Sequence, residues 1–198
     1  MIYRGNNMNL SHFFKALVLS LLASQPALAQ WALDNDMSSL SFVTTKAEHV
    51  AEVHTFEQMS GTLTSVGDLS IAIELISVNT MIPIRNERMQ ALLFETDIFP
   101  EATITGKIDM AQVAGMEAGD SKAMAIDFSL SIRGIAKAYT ADVQVTRTGA
   151  GLVASTRKPI IVMADSHDLV SGVDALREVA GLPSISRAVP VSFSVVFN

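Results

Sequence analysis

The sequence predicts an all-β protein of about eight antiparallel strands with two short helical inserts. Three observations predict this fold. Apolar and polar residues alternate in many short segments, and glycine and aspartate residues separate those segments. Two stretches, residues 87–97 and 171–181, have instead the wider spacing of a helix. Alternation alone leaves both a two-sheet sandwich and an up-and-down barrel open.

The composition is typical of one packed domain, because 49% of the 198 residues are hydrophobic and no low-complexity tract interrupts them. The chain contains no cysteine. A disulfide framework, a thiolate nucleophile and a lipid-modified cysteine are therefore all excluded.

Residues 1–29 have the pattern of a cleaved secretory signal. Lys15 precedes a mostly apolar run, and Ala27-Leu28-Ala29 forms a small-x-small cleavage site. The run is shorter than the about 20 apolar residues that a bilayer-spanning helix needs, so no stable membrane anchor is expected. Met1 and Met8 are both candidate initiators. A domain of residues 30–198 in the periplasm is the expected product.

Charge argues against two classes of partner. The formal net charge of −6 becomes −8 when Arg4 and Lys15 are removed with the signal. Nucleic acid and anionic membrane surfaces are therefore poor partners for the whole domain.

The first half of the domain predicts three strand regions before the central helix. Residues 31–46 hold a polar turn and then a strand with Leu40, Phe42 and Thr44 on one face. Residues 49–61 form the next strand and its turn. Residues 63–80 contain a turn at Gly67-Asp68 and a second alternating run.

The central stretch changes period. Met89, Leu92 and Leu93 have the i, i+3, i+4 spacing of an apolar helix face, which predicts a short helix. Pro100 ends the helical stretch, and a strand follows in which Ala102 and Ile104 share one face.

Further strands and a second helix complete the prediction. Residues 125–134 alternate most regularly, and Gly134 marks a bulge or tight corner. Strands continue to residue 147, across residues 158–164 and across residues 189–197. Residues 171–181 form a helix that Gly181 ends.

Two segments resemble a known family. The first holds Ser77-Val78-Asn79-Thr80, Arg85-Asn86-Glu87-Arg88-Met89, Leu93-Phe94 and Phe99-Pro100-Glu101-Ala102-Thr103-Ile104, and the second is residues 128–143. In order and spacing they resemble the YceI-like, polyisoprenoid-binding family. Asn79 and Asn86 stand where the family commonly has Asp, and Phe99 where Tyr is common.

This resemblance implies a lipocalin-like antiparallel β-barrel that one helical insert helps to close at one end. It also implies an interior that binds a long isoprenoid, a quinone or a fatty-acid-like lipid, with no other cofactor. The residues expected on the lipid wall are Phe42, Phe56, Ile73, Leu75, Met89, Leu92, Phe94, Phe99, Phe128, Leu130, Ile132, Phe193 and Val195. Ordinary core packing is the alternative for each of them.

Arg85 and Arg88 are the expected polar contacts, because guanidinium groups beside the helical insert suit a phosphate or carbonyl head group. Surface ion pairs with Glu87, Glu95 or Asp97 would explain them equally well. The oligomeric state stays open between a monomer and a homodimer.

Two other classes of function are alternatives to lipid binding. An enzyme is not expected, since the chain has no Gly-x-Ser-x-Gly elbow, zinc signature or glycine-rich phosphate loop, and His167 lies in a polar turn. A metal site at His49, Glu52 and His54 is disfavoured by their spacing. The remaining alternative is a non-catalytic envelope-stress interaction module whose barrel is filled by side chains.

Overall fold

The structure is a computed structural model that describes residues 1–2 and 30–198. Apart from its first two residues, the predicted signal therefore lies outside the described residues. None of the described helices is long and apolar enough to cross a membrane.

The described chain folds mainly as one curled antiparallel sheet. Its twelve strands are β1 (Gln30–Ala32), β2 (Ser39–Lys46), β3 (Val50–Phe56), β4 (Met59–Thr64), β5 (Asp68–Glu74), β6 (Val78–Asn79), β7 (Glu101–Lys107), β8 (Ser121–Ile132), β9 (Ile135–Arg147), β10 (Leu152–Thr156), β11 (Ile160–Met163) and β12 (Ala188–Phe197). The strand order is β1-β4-β5-β7-β8-β9-β10-β12-β2-β3-β6, and β11 pairs separately with β12.

The sheet curls so that the end of β1, at one edge, meets the end of β12. Ala32 and Asn198 exchange backbone hydrogen bonds of 2.9 Å in both directions, and Leu33 bridges Phe197. This pairing closes one end of the half-barrel, because it satisfies backbone groups of β1 that would otherwise form an open edge. The apolar faces of the strands point into the curl.

The predicted number of strands was too low, although the fold class and the antiparallel pairing are confirmed. Residues 49–61 form β3 and β4 rather than one strand and a turn, since the chain reverses at Glu57 and Gln58. β1 and β6 contain three and two residues, too few for alternation to show.

Both helical inserts are present. α1 (Pro83–Arg88) begins earlier than predicted, with Pro83 in its first turn, and it continues into a π-helical segment (Met89–Phe94). The segment ends at Glu95, whose backbone is left-handed at φ 53°, before Pro100 is reached. α2 (Val170–Val179) lies within one or two residues of its predicted bounds.

The β8–β9 hairpin turns through Arg133 and Gly134, with Ile132 paired to Ile135. Both turn residues have positive φ, 51° and 76°, as in the type I′ turn that matches the twist of antiparallel strands. The predicted tight corner at Gly134 is confirmed.

Candidate functional site

An apolar cavity of about 350 Å³ lies inside the curl of the sheet. Inward-facing residues of β2, β3, β5, β7, β8, β11 and β12 form its wall. These residues alternate with outward-facing ones along each strand, so the period of two in the sequence produces a continuous apolar surface.

A second cavity of about 90 Å³ continues toward the closed end. The two volumes share Leu40, Ile73, Ile104, Phe128 and Phe193 as lining residues. These five side chains form the boundary between them. The interior is therefore a deep apolar space that its own side chains do not fill.

The two helical inserts cover the other end of the larger cavity. Met89, Leu93 and Phe94 of the π-helical segment face the cavity beside Val173 and Leu176 of α2. The two elements pack closely, because a side chain at Gly172 would come within 2.7 Å of the Leu92 carbonyl oxygen. Glycine permits this approach.

A charged cluster lies at the cavity mouth. The Glu52 carboxylate accepts a contact of 2.8 Å from Lys46 Nζ and one of 2.6 Å from Arg85 Nη1. Arg85 also donates to the Thr80 carbonyl oxygen at 2.6 Å. The hydrogen bond from Lys46 is the main influence that holds the pKa of Glu52 below its usual value. Two cations share one carboxylate, so this cluster carries net positive charge.

His54 lies behind the charged cluster and is almost fully buried. Its Nε2 is 2.9 Å from Thr44 Oγ1, and its ring meets Phe42 edge to face at 5.3 Å. Burial lowers the pKa of His54. Its Nδ1 is buried without a hydrogen-bond partner. The neutral imidazole is therefore favoured beside the apolar wall.

Arg88 lines the cavity without an acidic partner. Its only recorded hydrogen bond within the described chain is to the Val179 carbonyl oxygen at 3.5 Å, and no described carboxylate lies within 4 Å. The alternative of ion pairs with Glu87, Glu95 or Asp97 is thus not seen for either arginine. Glu95 pairs with Arg133 instead.

The structure brings most of the predicted lipid-wall residues to the larger cavity. Those that line it are Phe42, Phe56, Ile73, Leu75, Arg85, Arg88, Met89, Phe94, Phe128, Leu130, Ile132 and Phe193. Their shared inward orientation follows from alternation on the strands and from helical spacing on the insert.

Three predicted wall residues lie elsewhere. Leu92 is exposed, because the π-helical turn rotates it away from Met89 and Leu93. Phe99 lies beneath the Arg133 guanidinium, 5.6 Å from its ring centroid, outside both cavities. Val195 lines the smaller cavity only. Predicting Leu92 and Phe99 in the wall was therefore wrong, and Val195 belongs to the deeper space.

Sequence reasoning missed about two thirds of the residues that line the larger cavity. The missed apolar residues include Leu40, Ile104, Ile160, Val162, Leu169, Val173, Leu176, Val189 and Val191. Leu40 lies two residues before Phe42 on β2, and Val191 lies two residues before Phe193 on β12. The same alternation therefore marks both missed residues. The mouth residues Lys46, Glu52 and His54 gave no such signal, because only the pairing of β2 with β3 brings them together.

His167 is not part of a solvated polar turn, as its sequence context suggested. It is fully buried in a short 3₁₀ helix, where Nε2 lies 2.9 Å from the Tyr139 hydroxyl and Nδ1 lies 3.0 Å from the Ile135 carbonyl oxygen. Nδ1 therefore donates to the carbonyl, and Nε2 accepts from Tyr139. In the described residues no three acidic, histidine or cysteine side chains converge as a metal site.

The protein is a lipocalin-like half-barrel with an apolar interior and a charged mouth. These features define the class of protein to which it belongs. The model of the YceI-like domain matches residues 31–197, so this chain belongs to the YceI-like family. A comparison with curated protein sequences gave no match.

Three solved structures illustrate the relation. One, described as a polyisoprenoid binding domain from Saccharophagus degradans implicated in plant cell wall breakdown, is 35% identical, with a TM-score of 0.82 over 86% of this chain and 98% of that one. BcnA of Burkholderia cenocepacia is 16% identical, with a TM-score of 0.60 over 82% and 98%. The Campylobacter jejuni YceI protein is 14% identical, with a TM-score of 0.52 over 73% and 84%. The last two show the shared fold alone.

Proposed function

We propose that this protein binds one long-chain isoprenoid or related amphiphilic lipid inside the barrel and carries or stores it in the periplasm. The observation that carries the proposal is the unfilled apolar cavity beneath a cationic mouth. The relationship to the Saccharophagus degradans domain, described as polyisoprenoid binding, supports the same ligand class. Cleavage of residues 1–29 would release the domain into that compartment.

The cavity has the size and chemistry of a lipid site. Its volume falls within the about 300–1,000 Å³ of typical ligand pockets, and its wall is almost entirely apolar. Each methylene that moves from water into the wall contributes about 0.8 kcal/mol. A long apolar tail is therefore stabilised in the interior and excluded from the aqueous periplasm.

The mouth suits an anionic or carbonyl head group. No carboxylate of the described residues pairs with Arg88, and Arg85 and Lys46 share Glu52. A phosphate at the mouth would form charge-assisted hydrogen bonds with these cations, whereas a quinone would accept weaker ones. The polar cluster thus orients the lipid with its tail inward.

The alternative is a non-catalytic interaction module with a filled barrel. The open interior favours the carrier, because a filled barrel would leave no cavity of this size. Neither function requires chemistry at the site.

Two adjacent substitutions on β11 test the proposal. Val162 faces the cavity and Ile161 faces solvent on the same strand. We expect Val162→Trp to fill part of the cavity and abolish the binding of geranylgeranyl phosphate, measured by fluorescence displacement, while Ile161→Trp binds like the unmodified protein. Equal binding by both folded variants would refute a ligand site inside the barrel.

A further inference from the structure

The rim of the cavity carries an exposed apolar segment, residues 81–84, with the sequence Met-Ile-Pro-Ile. Met81, Ile82 and Ile84 are 84%, 44% and 52% exposed. Val179, at the end of α2 across the mouth, is 48% exposed. Ile82, Ile84 and Val179 also line the cavity, so the exposed rim and the interior form one continuous apolar surface.

Hydrogen bonds hold this rim segment in place from below. Thr80 is buried, and the Asn86 side chain accepts from both its backbone N–H at 2.8 Å and its hydroxyl at 2.6 Å. Asn79 Oδ1 accepts from the Met81 N–H at 2.8 Å. Met81 keeps a left-handed backbone at φ 62°, an uncommon conformation for this residue type. The apolar tip is therefore presented to solvent by a defined polar base.

We propose that this rim docks on the surface of a phospholipid bilayer, with Met81 and its neighbours inserted among the acyl chains, and that the lipid passes through it into the barrel. The inference rests on the proposed function, because a tail that enters the cavity must first leave a membrane. The rim is where that tail would cross.

Charge at the rim fits the same partner. Among the described residues that line the cavity, Arg88, Arg85 and Lys46 stand against the single carboxylate of Glu52, so a phosphate head group that enters the mouth meets net positive charge. The domain as a whole is acidic. Its formal net charge is −8, compared with −6 for the full chain, because residues 1–29 contain Arg4 and Lys15. Attraction is thus confined to the rim, which orients the mouth toward the bilayer and keeps the contact transient.

Two methionines provide a matched pair of variants. Met81 lies at the rim, and Met37, 66% exposed, lies in the β1–β2 loop, whose Asn35 side chain accepts from the N–H of Met59 at the closed end. Aspartate opposes insertion into acyl chains, and it tolerates the left-handed backbone of residue 81. Neither methionine lines a cavity, so binding of a dispersed lipid should be unchanged in Met81→Asp and Met37→Asp.

Flotation with cargo-free vesicles of phosphatidylethanolamine and phosphatidylglycerol tests docking by itself. The unmodified protein and Met37→Asp should float with the vesicles, and Met81→Asp should lose at least about 10-fold of the bound fraction. Transfer of geranylgeranyl phosphate from the same vesicles should slow in parallel, while uptake from detergent stays equal in all three.

Flotation or transfer by Met81→Asp at the unmodified level would overturn docking at the rim. So would a stable dimer in sedimentation that Met81→Asp dissociates, because the rim would then be covered by a second copy. Failure of all three proteins to take up lipid from detergent would instead refute the proposed function, whatever the flotation result.

Discussion

At the scale of single residues, Arg88 is the cation on which the proposed head-group recognition depends most. It lines the cavity, and no described carboxylate lies within 4 Å of it. We expect Arg88→Ala to weaken geranylgeranyl phosphate binding by roughly 10- to 100-fold, the cost of one charge-assisted hydrogen bond. Isothermal titration would measure this loss.

The matched control for that substitution is Arg157→Ala, which removes the same charge from a pair with Asp142 outside the cavity. Its affinity should stay within about twofold of the unmodified protein, as expected for an exposed pair. The uncharged geranylgeraniol should bind both variants equally. A loss of geranylgeraniol binding in Arg88→Ala would show that Arg88 supports packing instead of the head group.

The two buried histidines predict a pH dependence of stability. Burial lowers the pKa of His54 and of His167 in the folded protein, below the ~6.5 of an unfolded chain. The unfolded state therefore binds more protons as the pH falls, and the stabilising contribution of the neutral imidazoles, complete above ~6.5, is lost below it. Urea unfolding should give a lower free energy at pH 5.5 than at pH 7.5.

Glu52 acts in a lower pH window. Its pKa is held below the ordinary ~4.3 chiefly by Lys46, so its contribution declines only as the pH falls below that value. The control for the histidines is His49→Gln, which removes an exposed histidine and leaves both buried imidazoles in place, so the difference between pH 5.5 and 7.5 should persist. An equal free energy of unfolding at both pH values would contradict the assignment of neutral buried histidines.

Individual residues were predictable where a repeating pattern marked them. Phe128, Leu130 and Ile132 occupy alternate positions of β8, so their common direction follows from the period of a strand. The prediction that Leu92 lies in the cavity wall was wrong because the π-helical turn changes the residue spacing on which helix periodicity relies. The prediction that His167 lies in a polar turn was wrong because its hydrogen-bond partners, Tyr139 and Ile135, lie about 30 positions away in sequence.

At the scale of elements, the packing of α2 against the π-helical segment forms the cover of the cavity. Gly172→Ala would place a Cβ 2.7 Å from the Leu92 carbonyl oxygen and 2.8 Å from Leu93 Cα. Both are backbone atoms, so α2 must move outward. We expect a loss of roughly 1–3 kcal/mol in unfolding free energy and weaker lipid binding.

Gly115→Ala is the control for this change, because an added Cβ there meets nothing within 4 Å. Thermal unfolding and lipid titration of both variants would measure the two effects. A stability of Gly172→Ala equal to that of Gly115→Ala would show that the helices do not need their close approach.

Arg133 explains why the ends of the helical inserts were harder to predict than the strands. Its guanidinium pairs with Glu95, donates to the Asp168 carbonyl oxygen at 2.6 Å and covers Phe99. One side chain thus ties the β8–β9 turn to the end of the π-helical segment and the start of α2. Such contacts join distant parts of the chain and leave no periodic signal.

At the scale of the whole molecule, the class of fold was predictable and the degree of closure was not. Alternation over β2, β5, β7 and β8 predicts an antiparallel all-β domain, but the pattern is the same in a sandwich and in a barrel. The pairing of Ala32 with Asn198 decides how the sheet closes. It joins the two ends of the domain, and the family resemblance, not the alternation, pointed to a barrel.

The unfilled interior is the property that links this fold to the proposed function. A cavity of about 350 Å³ adjoins a second of about 90 Å³, and Lys46, Arg85 and Arg88 line the mouth of the larger one, with Glu52 as the one acidic lining residue of the described chain. The proposed ligand binding, head-group orientation and docking on a bilayer all depend on this arrangement.

Native mass spectrometry of the domain purified from its own periplasm, followed by organic extraction, tests that claim most directly. We expect a mass that exceeds the polypeptide by one lipid molecule, which extraction identifies as an isoprenoid or related amphiphile. The mass of the bare polypeptide, together with no binding of added prenyl phosphate, quinone or fatty acid, would contradict the account.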